Sequence, residues 1–237
     1  MKITSKRINA LLSASVIAFA SSTVMAQDLS ITVTNLTQGL YFTPILTSAH
    51  VIDNHIFMAG TTATAELQAM AEGGDISGLV SILSNADANT SENPAGGLLA
   101  PSMSTTYTLT NDSANTHLSM TAMILPSNDG FVGLDSWKIP TEAGTYTINL
   151  NAYDAGTEAN NELVNGGGAV GVLGIPAAPG GDSGTNGMGV TDTESNTMIH
   201  IHRGSLGDDV MDGGKSDLNN SIHRWLNPVA KLTITIQ

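Results

Sequence analysis

The order of apolar and polar positions divides the chain into short elements of two kinds. Leu29-Ser30-Ile31-Thr32-Val33-Thr34 alternates strictly between apolar and hydroxyl residues. That is the period of two of a half-buried strand, whose successive side chains point to opposite faces. Residues 40–50 form a second apolar run, but Pro44 has no N–H for a ladder and belongs at a strand edge or bulge. From Thr62 to Leu83 the period becomes helical. Ala65, Leu67, Met70 and Ala71 make one stripe, and Gly73-Gly74 supplies a left-handed stop. Asp75 then caps a second short helix carrying Ile76, Leu79, Val80 and Leu83. Residues 85–101, rich in Ala, Asn, Gly and Pro, read as a surface loop. Strand patterns resume over 104–110, 117–124, 144–153 and 230–236. Many short strands around one helical insertion, with no repeat at a fixed period, predict a mainly β protein built as a single β-sandwich.

Two stretches fall outside this pattern. In residues 1–26, Lys2, Lys6 and Arg7 precede an apolar run that ends at Val24-Met25-Ala26. This reads as a secretory signal cleaved before Gln27, too short and too interrupted by serine to serve as a membrane anchor. Residues 27–237 are then expected to form one domain, exported to the periplasm or secreted. Residues 159–196 contain Gly166-Gly167-Gly168, Pro176 and Pro179-Gly180-Gly181, and a loop of that length in a compact domain is functional or mobile.

Charge narrows the partners. Without its first 26 residues the chain keeps five basic residues against all 21 acidic ones, a formal charge of −16. Such a surface argues against nucleic acid and anionic lipid, and is compatible with divalent cations. There is no cysteine, so stability has to come from core burial, with a metal as a possible addition.

Two acidic turns carry the candidate chemistry. Ile124-Leu125-Pro126-Ser127-Asn128-Asp129-Gly130 and Tyr153-Asp154-Ala155-Gly156-Thr157-Glu158 each run from a strand into a turn. Calcium takes six to eight oxygen ligands from such turns. Asp129, Asp135, Asp154 and Glu158 offer carboxylates, while Gly130, Gly133 and Gly156 allow close backbone approach. Asp and Asn also favour turns for their own side-chain hydrogen bonds, so both readings stand. His200-Ile201-His202 is a competing centre, because two histidines one residue apart on a strand face the same way and could share zinc or copper in a metal-dependent enzyme. His50 and His55 read either as loop histidines bonded to backbone or as ligands. Covalent catalysis finds no support: the chain has neither a Gly-x-Ser-x-Gly elbow nor the lysine of a phosphate loop.

Taken together, Phe42-Thr43-Pro44, Ala49-His50, Ala71-Glu72-Gly73-Gly74, Pro126-Ser127-Asn128-Asp129 with Phe131-Val132-Gly133-Leu134-Asp135, and Tyr153-Asp154-Ala155-Gly156-Thr157-Glu158 resemble the spondin-N domain family in the order of its landmarks. The resemblance implies an antiparallel sandwich similar to calcium/lipid-binding-type domains, with a calcium ion at its end loops. It implies a non-enzymatic binding or adhesion role toward an extracellular or cell-surface ligand, a carbohydrate or a protein. Asp129 matches the aspartate of the family's Pro-Ser-x-Asp turn, and Asp154, Asp135 and Glu158 match further acidic positions. Two departures stand out. The acidic residue expected before Pro126 aligns near Thr110, with Asp112 as a substitute, and the aromatic residue expected after Asp129 is Gly130. A purely structural surface protein whose acidic turns bind nothing is the third reading.

Overall fold

The computed structural model describes residues 27–180 and 184–237. The reading of residues 1–26 as a secretory signal lies outside the described residues. Ten strands and two helices follow in the order β1 (Leu29–Asn35), β2 (Tyr41–Phe42), β3 (Leu46–His50), α1 (Ala65–Gly73), α2 (Ser77–Asn85), β4 (Asn89–Glu92), β5 (Ser104–Leu109), β6 (His117–Leu125), β7 (Gly130–Lys138), β8 (Gly144–Asp154), β9 (His200–Ile201) and β10 (Ala230–Ile236). The fold is mainly β, as the alternation of apolar and polar residues predicts.

The sheet path is β4-β3-β6-β7-β8-β10-β1-β5, with β2 added to β6 and β9 to β8. Every pairing between these strands is antiparallel. β8 belongs to both halves of this path: residues 144–150 pair with β10, and residues 151–154 pair with β7. The sheet folds over at that strand, and its two end strands approach each other where Thr105 Oγ1 donates to Pro94 O at 3.2 Å. The result is a nearly closed sandwich.

Alternation decides which side chains fill it. Leu29, Ile31 and Val33 of β1 and Leu232, Ile234 and Ile236 of β10 enter the main core. The intervening threonines face out, and Thr32 and Thr34 exchange hydroxyl hydrogen bonds of 2.8 Å with Thr106 and Ser104 across the ladder. β6 is buried on both faces. Leu118, Met120, Ala122 and Ile124 enter the main core, while Met123 and Leu125 enter a second core under the helices. Leu67, Met70 and Ala71 of α1 and Leu79 and Leu83 of α2 fill that second core, as the helical stripe requires. Thr64 caps α1 by accepting the N–H of Leu67, and Gly74 ends it at φ 73°. Asp75 accepts the N–H of Ser77 at 2.9 Å as α2 begins.

Two elements differ from expectation. The region read as a loop over 85–101 contains β4, whose side chains are all polar and only partly covered. As a polar edge strand it carries no hydrophobic period. β7 also escapes the pattern, because Gly133, Asp135 and Ser136 interrupt its apolar run.

Phe131 joins the second core to the acidic turns. It is fully buried beside Gly130, with its ring 5.0 Å from Phe57 and 5.6 Å from Tyr153. Phe131→Ala is expected to cost about 3–5 kcal/mol, measured as a lower urea midpoint at unchanged slope; a loss under 1 kcal/mol would contradict this packing.

Candidate functional site

The two acidic turns meet at one end of the sheet. In the first, between β6 and β7, Ser127 Oγ donates to Ile124 O at 2.6 Å, and Asp129 stands at φ 23°. A side chain at Gly130 would meet Ser127 Oγ at 2.5 Å, which requires glycine there. Gly130 pairs with Asp154 in the β7–β8 ladder, and Ala155 N–H donates to Asp129 O at 3.2 Å. Strand register therefore sets two carboxylates side by side.

One oxygen of Asp129 ties the turns together. Its Oδ2 accepts Thr157 N–H at 2.7 Å, Thr157 Oγ1–H at 3.1 Å and Glu158 N–H at 3.2 Å. Its Oδ1 is buried with no hydrogen-bond partner among the described residues. Asp154 Oδ1 accepts Gly156 N–H at 2.8 Å, and its Oδ2 accepts Asn160 Nδ2–H at 2.7 Å. Burial pushes the Asp129 carboxyl well above the usual range, and repulsion from Asp154 adds to it against the three hydrogen bonds. Burial also raises Asp154, opposed by its bonds to Asn160 and Gly156 and by His200.

Glu158 stands beside this pair but faces elsewhere. Its Oε2 accepts Asn128 Nδ2–H at 3.1 Å and Gly174 N–H at 3.0 Å, while its Oε1 is buried without a partner. Burial raises its carboxyl, and the acid that repels it is Glu72. Asp135 does not join the site. It lies six residues along β7 from Asp129, about 20 Å at strand rise, where its Oδ1 pairs with His55 Nδ1 at 2.8 Å. Reading Asp135 with the acidic turn is corrected by β7, which carries it away from the turn in an extended ladder. Asp112 does not replace the acid missing near Thr110 either. It binds Asn89 Nδ2 at 2.9 Å, before β6 begins and so at the opposite end of that strand.

The histidine pair comes to the same place from outside. β9 pairs with the end of β8, so that Asp154 faces His200. His200 Nε2 and His202 Nε2 lie 3.7 and 4.0 Å from Asp154 Oδ2. Their Nδ1 atoms play opposite roles. His200 Nδ1 donates to Met198 O at 2.8 Å. His202 Nδ1 accepts Gly204 N–H at 3.0 Å, which places the proton on Nε2. Two histidines so arranged do not present matched nitrogen ligands to zinc or copper. Among the described residues no group of three or more His, Asp and Glu side chains is placed to hold a metal ion. His50 takes the backbone role, with Nδ1 on Val51 O at 2.7 Å and Nε2 on Ser119 Oγ at 2.7 Å.

The glycine-rich segment is held by carboxylates bonded to backbone. Glu162 accepts the N–H groups of Leu206 and Gly207 and the hydroxyl of Ser216. Asp217 accepts those of Val164, Thr185 and Gly187. Asp208, whose pKa these bonds lower, accepts from Ser216, Lys215 and Val210. Sequence reasoning missed these roles, and it missed Asn160 and Thr157 as partners of the aspartate pair. The polar run Asn160-Asn161-Glu162 directly after the second turn was the available signal.

A family model, Spondin_N, matches residues 34–163, more than half of the chain, and that span contains both acidic turns. The chain belongs to the Spondin_N family. Among curated proteins nothing matches it. Within this spondin domain, Asp129 and Asp154 lie inside the matched segment, whereas His200 and His202 lie beyond it.

The implied calcium ion can be tested against the residues present. A buried aspartate oxygen without a donor, beside a second aspartate that repels it, is the polarity a hard cation neutralises. The donors are oxygens, and the residues fit. Asp129→Asn would keep an oxygen for Thr157 and Glu158 and remove the charge that Asp154 repels. In chelator at pH 7 this variant is expected to be more stable than the parent by about 1–3 kcal/mol. A raised carboxyl stabilises the fold below its unfolded value of 3.8 and loses that contribution as pH rises through the raised value. The advantage of the variant should therefore shrink as pH falls from 7 to 4, followed by thermal melting; an equal difference at both pH values would contradict the burial of an ionised Asp129.

Proposed function

We propose that this chain is an exported, non-enzymatic binding or adhesion-type spondin domain whose end loops are organised by a calcium ion. The unpartnered Oδ1 of Asp129 beside Asp154 carries this reading. Asp129 and Asp154 would hold the ion, with backbone, amide and water oxygens completing its shell. When bound, calcium would neutralise the pair and cross-link the turns at 126–129 and 155–158. With two carboxylates as its charged ligands, the site is expected to bind with a Kd of about 10⁻⁴–10⁻³ M, the range of extracellular modules.

The surroundings support binding rather than catalysis. Gly171 N–H is held by Glu72 Oε2 at 2.7 Å and Gly174 N–H by Glu158 Oε2 at 3.0 Å. Between and beside these anchors Val170, Val172 and Leu173 are exposed to solvent. Apolar side chains presented on a tethered loop are suited to an extracellular or cell-surface ligand, a carbohydrate or a protein. The family supports an extracellular role of this kind. No helix among the described residues is long and apolar enough to cross a membrane.

Calcium at about 100 times Kd should stabilise the protein by about 2.7 kcal/mol, a rise in melting temperature of about 5–10 °C for a chain of this size. Asp129→Asn and Asp154→Asn should each abolish the rise. No shift of the parent protein in 10–50 mM calcium would remove the calcium reading.

A further inference from the structure

We propose that His202 is a positioning residue of the cation site, a fixed N–H donor that, with Asn160, holds Oδ2 of the Asp154 carboxylate. The proposal rests on the calcium reading and extends it to a residue outside the family-matched segment.

Four contacts fix the side chain. His202 N–H donates to Ala152 O at 3.0 Å, which continues the ladder past β9 and keeps the side chain on the same face as His200. Trp225 covers one side of the imidazole, with ring centroids 4.7 Å apart. Gly130 gives room on another, since a Cβ there would stand 3.2 Å from His202 Cδ2. Gly204 N–H is aimed at Nδ1 from a backbone at φ 90°, and a Cβ on Gly204 would meet Trp225 O at 2.6 Å. The ring can neither turn over nor lose that donor without moving the backbone at 204.

This leaves Nε2 as a donor without an acceptor. His202 is 4% exposed, and its Nε2 is buried with no hydrogen-bond partner. Because Nδ1 accepts the Gly204 N–H, the proton of the ring sits on Nε2. A buried, unpaired N–H costs about 1–3 kcal/mol. The acceptor in front of it is Asp154 Oδ2, 4.0 Å away. That oxygen is already bonded to Asn160 and retains a lone pair. A movement of about 1 Å closes the gap to a hydrogen bond. An ion that relieves the repulsion between Asp129 and Asp154 would let Asp154 settle between Asn160 and His202. Outer donors of this kind orient a ligating carboxylate and change metal affinity by about 10–100-fold.

The test compares the full chain with His202→Phe and His202→Gln in calcium titrations by calorimetry and in melting with chelator. Phe keeps the contact with Trp225 but has no N–H, whereas Gln places an N–H near the position of Nε2. His202→Phe is expected to weaken calcium binding about tenfold or more, and His202→Gln to recover most of the loss. Equal binding by His202→Phe and the parent overturns the proposal while leaving the calcium site standing. Equal weakness of both variants, with lowered melting in chelator, also overturns it, because the ring then acts through packing alone. Failure of the parent to bind calcium removes the calcium reading and this proposal with it, and is told apart because it occurs without any variant. Nitrogen NMR of the parent is independent of folding defects in the variants. The His202 Nε2–H resonance should be present in chelator and move on calcium addition; a proton on Nδ1 overturns the assignment.

Discussion

Antiparallel pairing of β7 with β8 forces two like charges together, and the geometry of the site depends on it. Once Gly130 lies opposite Asp154, the residue before Gly130 has nowhere to go but beside that aspartate. The backbone accommodates this with a glycine where a Cβ would strike Ser127 and a positive φ at Asp129. Three donors gather on one oxygen of Asp129, and nothing among the described residues satisfies the other. Strain and unpaired polarity of this kind persist where the surrounding fold over-determines them, and they mark sites that act on something else.

The acidic residues of this chain do three different jobs. Glu162, Asp208 and Asp217 receive backbone N–H groups and hold a long segment that has few apolar anchors. Asp135 and Asp112 pair with His55 and Asn89 away from the site. Asp129 and Asp154 are buried against each other, and Glu158 against Glu72. For Asp129, Asp154 and Glu158 burial is the largest effect, and it works against the charge. The net charge counts all of them alike, which is why composition could point to cations in general and not to a place.

Much of the fold was legible because its elements are regular. β1, β5, β6, β8 and β10 follow a period of two, the helices follow their stripe, and Pro44 separates β2 from β3 as a residue without an N–H must. The part that could not be read lacked a hydrophobic signal: β4 is polar at an edge, β7 is interrupted by glycine and serine, and residues 159–217 are shaped by side chains bonded to distant backbone. The aspartates of both turns were legible as candidates. The withdrawal of Asp135 was not, because six residues in a turn and six in a strand look alike in sequence, whereas in a strand they reach about 20 Å and in a turn they fold back.

By itself the sequence determined the class of fold, the two acidic turns and the family to which they belong, since each rests on local periodicity or on residues a few positions apart. Only the tertiary structure decided which carboxylates meet and which oxygens are left without donors. It alone made Nδ1 a donor in His200 and an acceptor in His202. Those outcomes depend on strand register and on a peptide N–H from Gly204, contacts between residues far apart in the chain or set by backbone direction, and no local pattern encodes them.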